Sequence, residues 1–136
     1  MHATVKLNPS VFAKFMQETS ANRETAEQAF RELHKFLAVS ATSNGPCAPS
    51  DIVDEFWHCF VLHTIDYAEY CQNAFGCFMH HVPSDDHSAN LTAYARTREL
   101  LAKTFGNLDE RFWPPANNSL LCGSSCKVGD CRPITL

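Results

Sequence analysis

Pro49-Ser50-Asp51-Ile52-Val53-Asp54-Glu55-Phe56-Trp57-His58 opens the most informative segment of this chain. Ser50 is a residue type that caps helix N-termini, and Asp51 follows in the first turn, where the macrodipole favours negative charge. The pattern predicts one helix continuing to about Asn73 and stopping at Gly76, which can take the left-handed C-terminal conformation. At 100° per residue Val53, Trp57, Phe60, Thr64, Tyr67 and Cys71 fall in one arc of about 80°, the stripe expected to be buried. Asp54 and His58 are four apart on one flank of it, so their side chains can meet. Ile65 extends that flank and is expected to help shield the pair from water.

Upstream, Asn8-Pro9 has the cap and first-turn residues of a helix ending near Thr19, with Phe12, Phe15 and Met16 on one face. A second helix is expected from Ser20 or Asn22 to about Ser40, with Ala26, Ala29, Phe30, Leu33, Phe36 and Leu37 as its apolar stripe. Asn44-Gly45-Pro46 lies in a loop over residues 41–49. Downstream, Pro83 to His87 reads as a turn, and a fourth helix is expected from about Ser88 to Phe105, closed by Gly106. Asp109 to Trp113 reads as one further turn before Pro114-Pro115. No segment alternates long enough to predict a sheet. The expected fold is all-α: a compact single-domain bundle or array of about four helices over 1–115, with an irregular Cys-containing tail over 116–136.

A chain of 136 residues with 45% hydrophobic and 19% charged residues can bury a substantial core as one domain. The formal charge of −4 and scattered Lys and Arg argue against a nucleic-acid partner. No signal-peptide pattern opens the chain and no run approaches the roughly 20 apolar residues of a membrane span, so the expectation is no membrane role and a cytoplasmic location. In that reducing compartment seven cysteines call for metal binding, redox chemistry or burial rather than a full disulfide framework.

The Asp54–His58 pair has three readings: a structural hydrogen bond, a metal site, or general acid–base work. The structural reading leads for the pair alone. His80 and His81 lie beyond the helix, and if one of them returns to His58 the result is a two-His, one-carboxylate set suited to Zn or Fe(II). Adjacent histidines cannot easily face one centre, so at most one of them is expected there. His87 reads as a solvated turn residue. Cys59 and His63 form a weak pair on the opposite face, and Cys71 reads as a core residue. In the tail, Cys122, Cys126 and Cys131 stand among small flexible residues and could wrap Zn or Cu, with Cys47, Cys77 or a histidine as fourth ligand. Redox pairing ranks beside that reading, and an inert tail slightly behind.

The segment Pro49 to His58 continues through Leu62, Thr64, Tyr67, Cys71 and Phe75-Gly76 to His80-His81-Val82-Pro83. It resembles the pattern P-S-x-x-V-D-x-x-W-H, L-x-T-x-x-Y-x-x-x-C-x-x-x-F-G, H-x-P of the glycine-rich-domain-protein-like family. The resemblance implies a compact helical fold and brings no settled catalytic activity with it. From the residues, the expected function is a small metal-binding protein carrying Zn, Fe or Cu, with no nucleotide cofactor. Its candidate ligands are Asp54, His58, His80, His81, Cys122, Cys126 and Cys131. One alternative is a small metalloenzyme acting on a small or peptide thiol, with Phe56, Trp57, Tyr67 and Tyr94 lining its pocket. The other is a non-catalytic module for a protein or peptide partner.

Overall fold

The computed structural model describes residues 6–116 and, along the backbone, 126–132. Five helices and two short strands follow in the order α1 (Pro9–Thr19), α2 (Arg23–Thr42), α3 (Asp51–Val61), α4 (Thr64–Phe75), β1 (Phe78–Pro83), α5 (His87–Phe105) and β2 (Cys126–Arg132). The all-α array expected from the sequence is therefore the architecture, with α2 as the hub that contacts α1, α3 and α5.

Local signals set most helix starts. Asn8 accepts from the Ser10 amide, Asn22 from Thr25, Ser50 from Val53 and Asp86 from Ala89, so each cap satisfies an amide that the helix leaves without a partner. At the C-terminus of α4, Gly76 takes a φ of 72°, a conformation that costs other residues a Cβ clash. These caps orient the amphipathic faces onto one core, in which Phe15, Leu33, Phe36, Phe56, Trp57 and Phe60 are fully buried.

The single helix expected over residues 50–73 is divided into α3 and α4. No Pro or Gly marks the division. His63 instead turns its ring back, Nδ1 donating to the Cys59 carbonyl at 2.8 Å, while Nε2 accepts from the Ser10 hydroxyl at 2.9 Å. The carbonyl that the His63 amide would use is thus engaged by the ring, and that amide bonds to the Phe60 carbonyl instead. A tightened turn and a change of direction follow. One consequence is that Thr64, placed on the buried stripe by a continuous 100° rotation, is exposed. Ile65 is 75% exposed and shields nothing.

Part of the segment expected as an irregular tail forms β2, which pairs antiparallel with β1. Neither strand alternates over enough residues to announce itself, because each is short and has only one strand neighbour among the described residues. The 109–113 turn, read correctly as a turn, also locks the core. Trp113 is fully buried, and its indole donates to Glu32 Oε1 at 2.8 Å. Gln28 Nε2 and Lys35 Nζ also donate to that 3%-exposed carboxylate, at its Oε2.

One core contact generates a pH dependence. The Tyr70 phenol, which burial keeps protonated, hydrogen-bonds to His34 Nδ1, and burial lowers the His34 pKa from its ordinary 6.5. The unfolded chain therefore takes up this proton more readily than the folded one, and stability falls as pH drops through 6.5 toward the lower folded value. Denaturant unfolding between pH 5 and pH 7 is expected to show a shallower pH slope in His34→Gln than in wild type. Parallel slopes would assign the dependence to other groups.

Candidate metal centre

The first turn of α3 sets Asp54, and one turn later the same face carries His58. Asp54 is 7% exposed, a burial that an ionised carboxylate tolerates only with close polar partners. It has two. His81 Nε2 stands 3.0 Å from Asp54 Oδ1, and His58 Nε2 stands 3.6 Å from the same oxygen. The two imidazole rings are 4.4 Å apart, centroid to centroid. The His81 side chain is 11% exposed and that of His58 43% exposed, so the cluster is closed on the His81 side and opens to solvent on the His58 side.

His81 reaches α3 through a chain of buried contacts. The Trp57 indole donates to the Tyr67 hydroxyl at 2.9 Å, and that hydroxyl donates to the Met79 carbonyl, two residues before His81. Burial raises the Tyr67 pKa far above the neutral range, so the phenol stays a donor. Trp57 also packs its ring edge-on against His81 at 4.1 Å. Between Met79 and His81 the β1–β2 register shifts, Met79 facing Cys131 and His81 facing Val128. Such an irregularity changes local twist and re-aims a side chain.

One donor atom from each of Asp54, His58 and His81 lies within 4.8 Å of the others. Ligands around a tetrahedral ion with bonds of about 2.0–2.1 Å stand roughly 3.3 Å apart, so the 3.0 Å and 3.6 Å separations already bracket that spacing. The donor set, two imidazoles and a carboxylate, suits Zn or Fe(II) and leaves coordination positions open. Glu55 Oε2 lies 3.8 Å from His58 Nδ1, the place of a group that orients a ligating ring from behind.

The other expected residues fall elsewhere. His80 is exposed on β1 with its ring against Phe78, outside the cluster that its neighbour His81 joins. His87 is the exposed first residue of α5. Cys59 is buried rather than on a polar face, and burial pushes its thiol up to about 11, which disfavours a thiolate ligand. His63 binds the Cys59 carbonyl and not its sulfur. Cys47 and Cys71 are buried free thiols, and Cys77 is disulfide-bonded, which removes it as a thiolate. Cys122 and the side chains of Cys126 and Cys131 lie outside the described residues. Phe56, Trp57, Tyr67 and Tyr94, expected around a pocket, are all in the core. An open depression of about 370 Å³ sits instead beside Pro46, Asp86 and Arg96, with none of the three cluster residues in its wall.

Sequence reasoning missed two parts of this site. Glu55 is one residue from Asp54 yet reaches His58, which the i,i+3 spacing of the helix permits and could have signalled. The packing of Trp57 on His81 joins residues of α3 and β1, and no local pattern announces it.

The family model described as UCP032817-like matches residues 2–103, three quarters of the chain, and the chain belongs to that family. No curated protein and no solved structure matches it. The glycine-rich-domain-protein-like assignment is thereby overturned, and nothing indicates that family. The residues behind the resemblance include the cap Ser50 and the buried Val53, Trp57, Tyr67 and Cys71. Their types answer to capping and packing, demands that unrelated helical proteins share.

Tyr67→Phe leaves the Trp57 N–H and the Met79 carbonyl without their buried partner. The expected loss is about 2–4 kcal/mol of unfolding free energy, measured by urea titration. A loss below about 0.5 kcal/mol would mean that water or a neighbour replaces the hydroxyl.

Proposed function

We propose that this member of the UCP032817-like family is a small metal-binding protein that holds one divalent transition ion between Asp54, His58 and His81. The supporting observation is convergence: donor groups from a helix and from a strand more than twenty residues away in sequence meet within 4.8 Å. Zn or Fe(II) fits this nitrogen and oxygen set, whereas Cu(I) would look for thiolates. Asp54 would supply charge, the two histidines would fix the ion, and Glu55 would orient His58. When bound, such an ion acts as a Lewis acid or as a source of acidified water.

The solvent-facing His58 side favours a second reading, a small metalloenzyme acting on a small or peptide thiol, since three protein ligands leave room for an exogenous one. A partner-binding module is favoured by a different observation, the exposed Leu62 and Ile65 at the α3–α4 junction. Thiolate binding by Cys122, Cys126 and Cys131 would add a separate site. No helix among the described residues is long and apolar enough to cross a membrane. Three free thiols, Cys47, Cys59 and Cys71, suit a cytoplasmic location.

Elemental mass spectrometry on untagged protein purified anaerobically tests the reading. Wild type is expected to carry about one ion per chain, with occupancy at least roughly tenfold lower in Asp54→Asn and His81→Ala and in His58→Ala. Cys126→Ser is expected to retain it. Loss confined to Cys126→Ser would move the site to the tail. Absence of metal in every sample after reconstitution would leave a structural Asp–His pair.

A further inference from the structure

Beside the loop that joins α2 to α3, an open depression of about 370 Å³ is walled by Pro46 and by a face of α5 that runs from Asp86 to Arg96. That volume lies in the range of small-molecule sites. The two ends of the depression carry opposite charge. Asp86 Oδ1 accepts the Ala89 amide, and its second carboxylate oxygen has no partner among the described residues. At the far end Arg96 is half-buried, its Nη1 donating to the Pro46 carbonyl at 2.5 Å. Among the described residues it makes no ion pair. Gly45 keeps the guanidinium in place. The described glycines with positive φ are Gly76 and Gly106, so backbone conformation does not call for a glycine at 45. A Cβ there would instead stand 2.8 Å from the Arg96 guanidinium carbon. The missing side chain lets the guanidinium lie against the loop. One of its N–H groups is spent on Pro46, which leaves donors for a planar acceptor.

We propose that this depression binds a short zwitterionic peptide, with the peptide carboxylate on Arg96 and its ammonium group on Asp86. A guanidinium meets a carboxylate through two parallel hydrogen bonds, and one already held against a loop loses little side-chain freedom in doing so. Asp86 decides against a bare anion, because its negative charge shares the depression. It favours a ligand that carries a cation at a set distance from its carboxylate. Ten residues of helix separate the two Cα atoms by roughly 15 Å. Helical side chains lean toward the N-terminus, which carries the guanidinium toward Asp86, while Asp86 leans the other way onto Ala89. The charged ends therefore stand closer than their Cα atoms, and three extended residues, spanning roughly 10 Å, fit between them. The peptide groups of such a ligand pass the hydroxyls of Ser88 and Thr92. Thr92 donates to the Ser88 carbonyl, so its oxygen is left to accept a peptide N–H. The inference is independent of the metal reading, whose three residues lie on α3 and β1.

The experiment titrates the full chain with trialanine, with N-acetyl-trialanine and with trialanine amide, following backbone amide shifts by NMR. Saturable shifts are expected from trialanine at Gly45 and over residues 86–96. Each end-blocked peptide is expected to bind at least about tenfold more weakly, the factor that one charge-assisted contact supplies. Asp86→Ser keeps a capping oxygen for the Ala89 amide and removes the charge. It is expected to weaken trialanine and leave the affinity for N-acetyl-trialanine unchanged. Gly45→Ala displaces the end of a flexible side chain rather than backbone, so it is expected to keep the wild-type melting temperature. Its affinity for trialanine is nonetheless expected to fall at least about fivefold, because the guanidinium leaves its seat. Three outcomes would each overturn the proposal: no saturable shift over residues 86–96, equal binding of the acetylated peptide, or shifts gathered at His58 and His81 instead.

Discussion

The hydrogen-bond chain from Trp57 through Tyr67 to the Met79 carbonyl ties three elements together, and the geometry of the Asp/His cluster depends on it. Each link is buried, so each polar group would be costly to leave without a partner, and the chain has little freedom to rearrange. Trp57 is committed twice, donating from its indole nitrogen while its ring face and edge pack against Phe36 and His81. The residue that anchors α3 in the core is therefore also the wall of the site. Changes that loosen the core at Trp57 must also move His81.

The division of the central helix serves the same end. With one continuous rod, residues after 61 would extend along the axis of α3. The turn at His63 lets α4 change direction while Tyr67 stays beside Phe60 and within reach of Trp57. Gly76 then reverses the chain, and β1 returns antiparallel to β2 past the flank that carries Asp54 and His58. A ring bonding to a carbonyl four residues back, a tyrosine hydroxyl and a left-handed glycine together bring a strand residue to a helix face.

The cysteines divide by environment rather than by spacing. Cys47, Cys59 and Cys71 are buried, and desolvation raises the Cys59 and Cys71 thiols above their ordinary values, which makes them inert packing residues. Cys77 differs because it lies just before β1 and is disulfide-bonded. Counting thiols in the sequence could not separate these roles, since burial and bonding belong to the folded chain.

Helix starts were legible in the sequence because caps act within four residues: Asn8, Asn22 and Ser50 each sit next to the amides they satisfy. The apolar stripes of α2 and α3 were equally legible, since 3.6-residue periodicity is local, and so was the meeting of Asp54 with His58 on adjacent turns. The break at His63 was not, because it comes from a side-chain bond that competes with the backbone ladder and from Ser10, far away in sequence. Nor was the choice of His81 over His80. Pleat alternation sends the two rings to opposite faces, but only the docking of β1 against α3 decides which face meets Asp54. Sequence alone determined the helical class and two of the cluster's three residues, Asp54 and His58, through interactions between near neighbours. Tertiary packing decided the third donor and the ribbon that holds it, because those contacts join residues that no local rule connects.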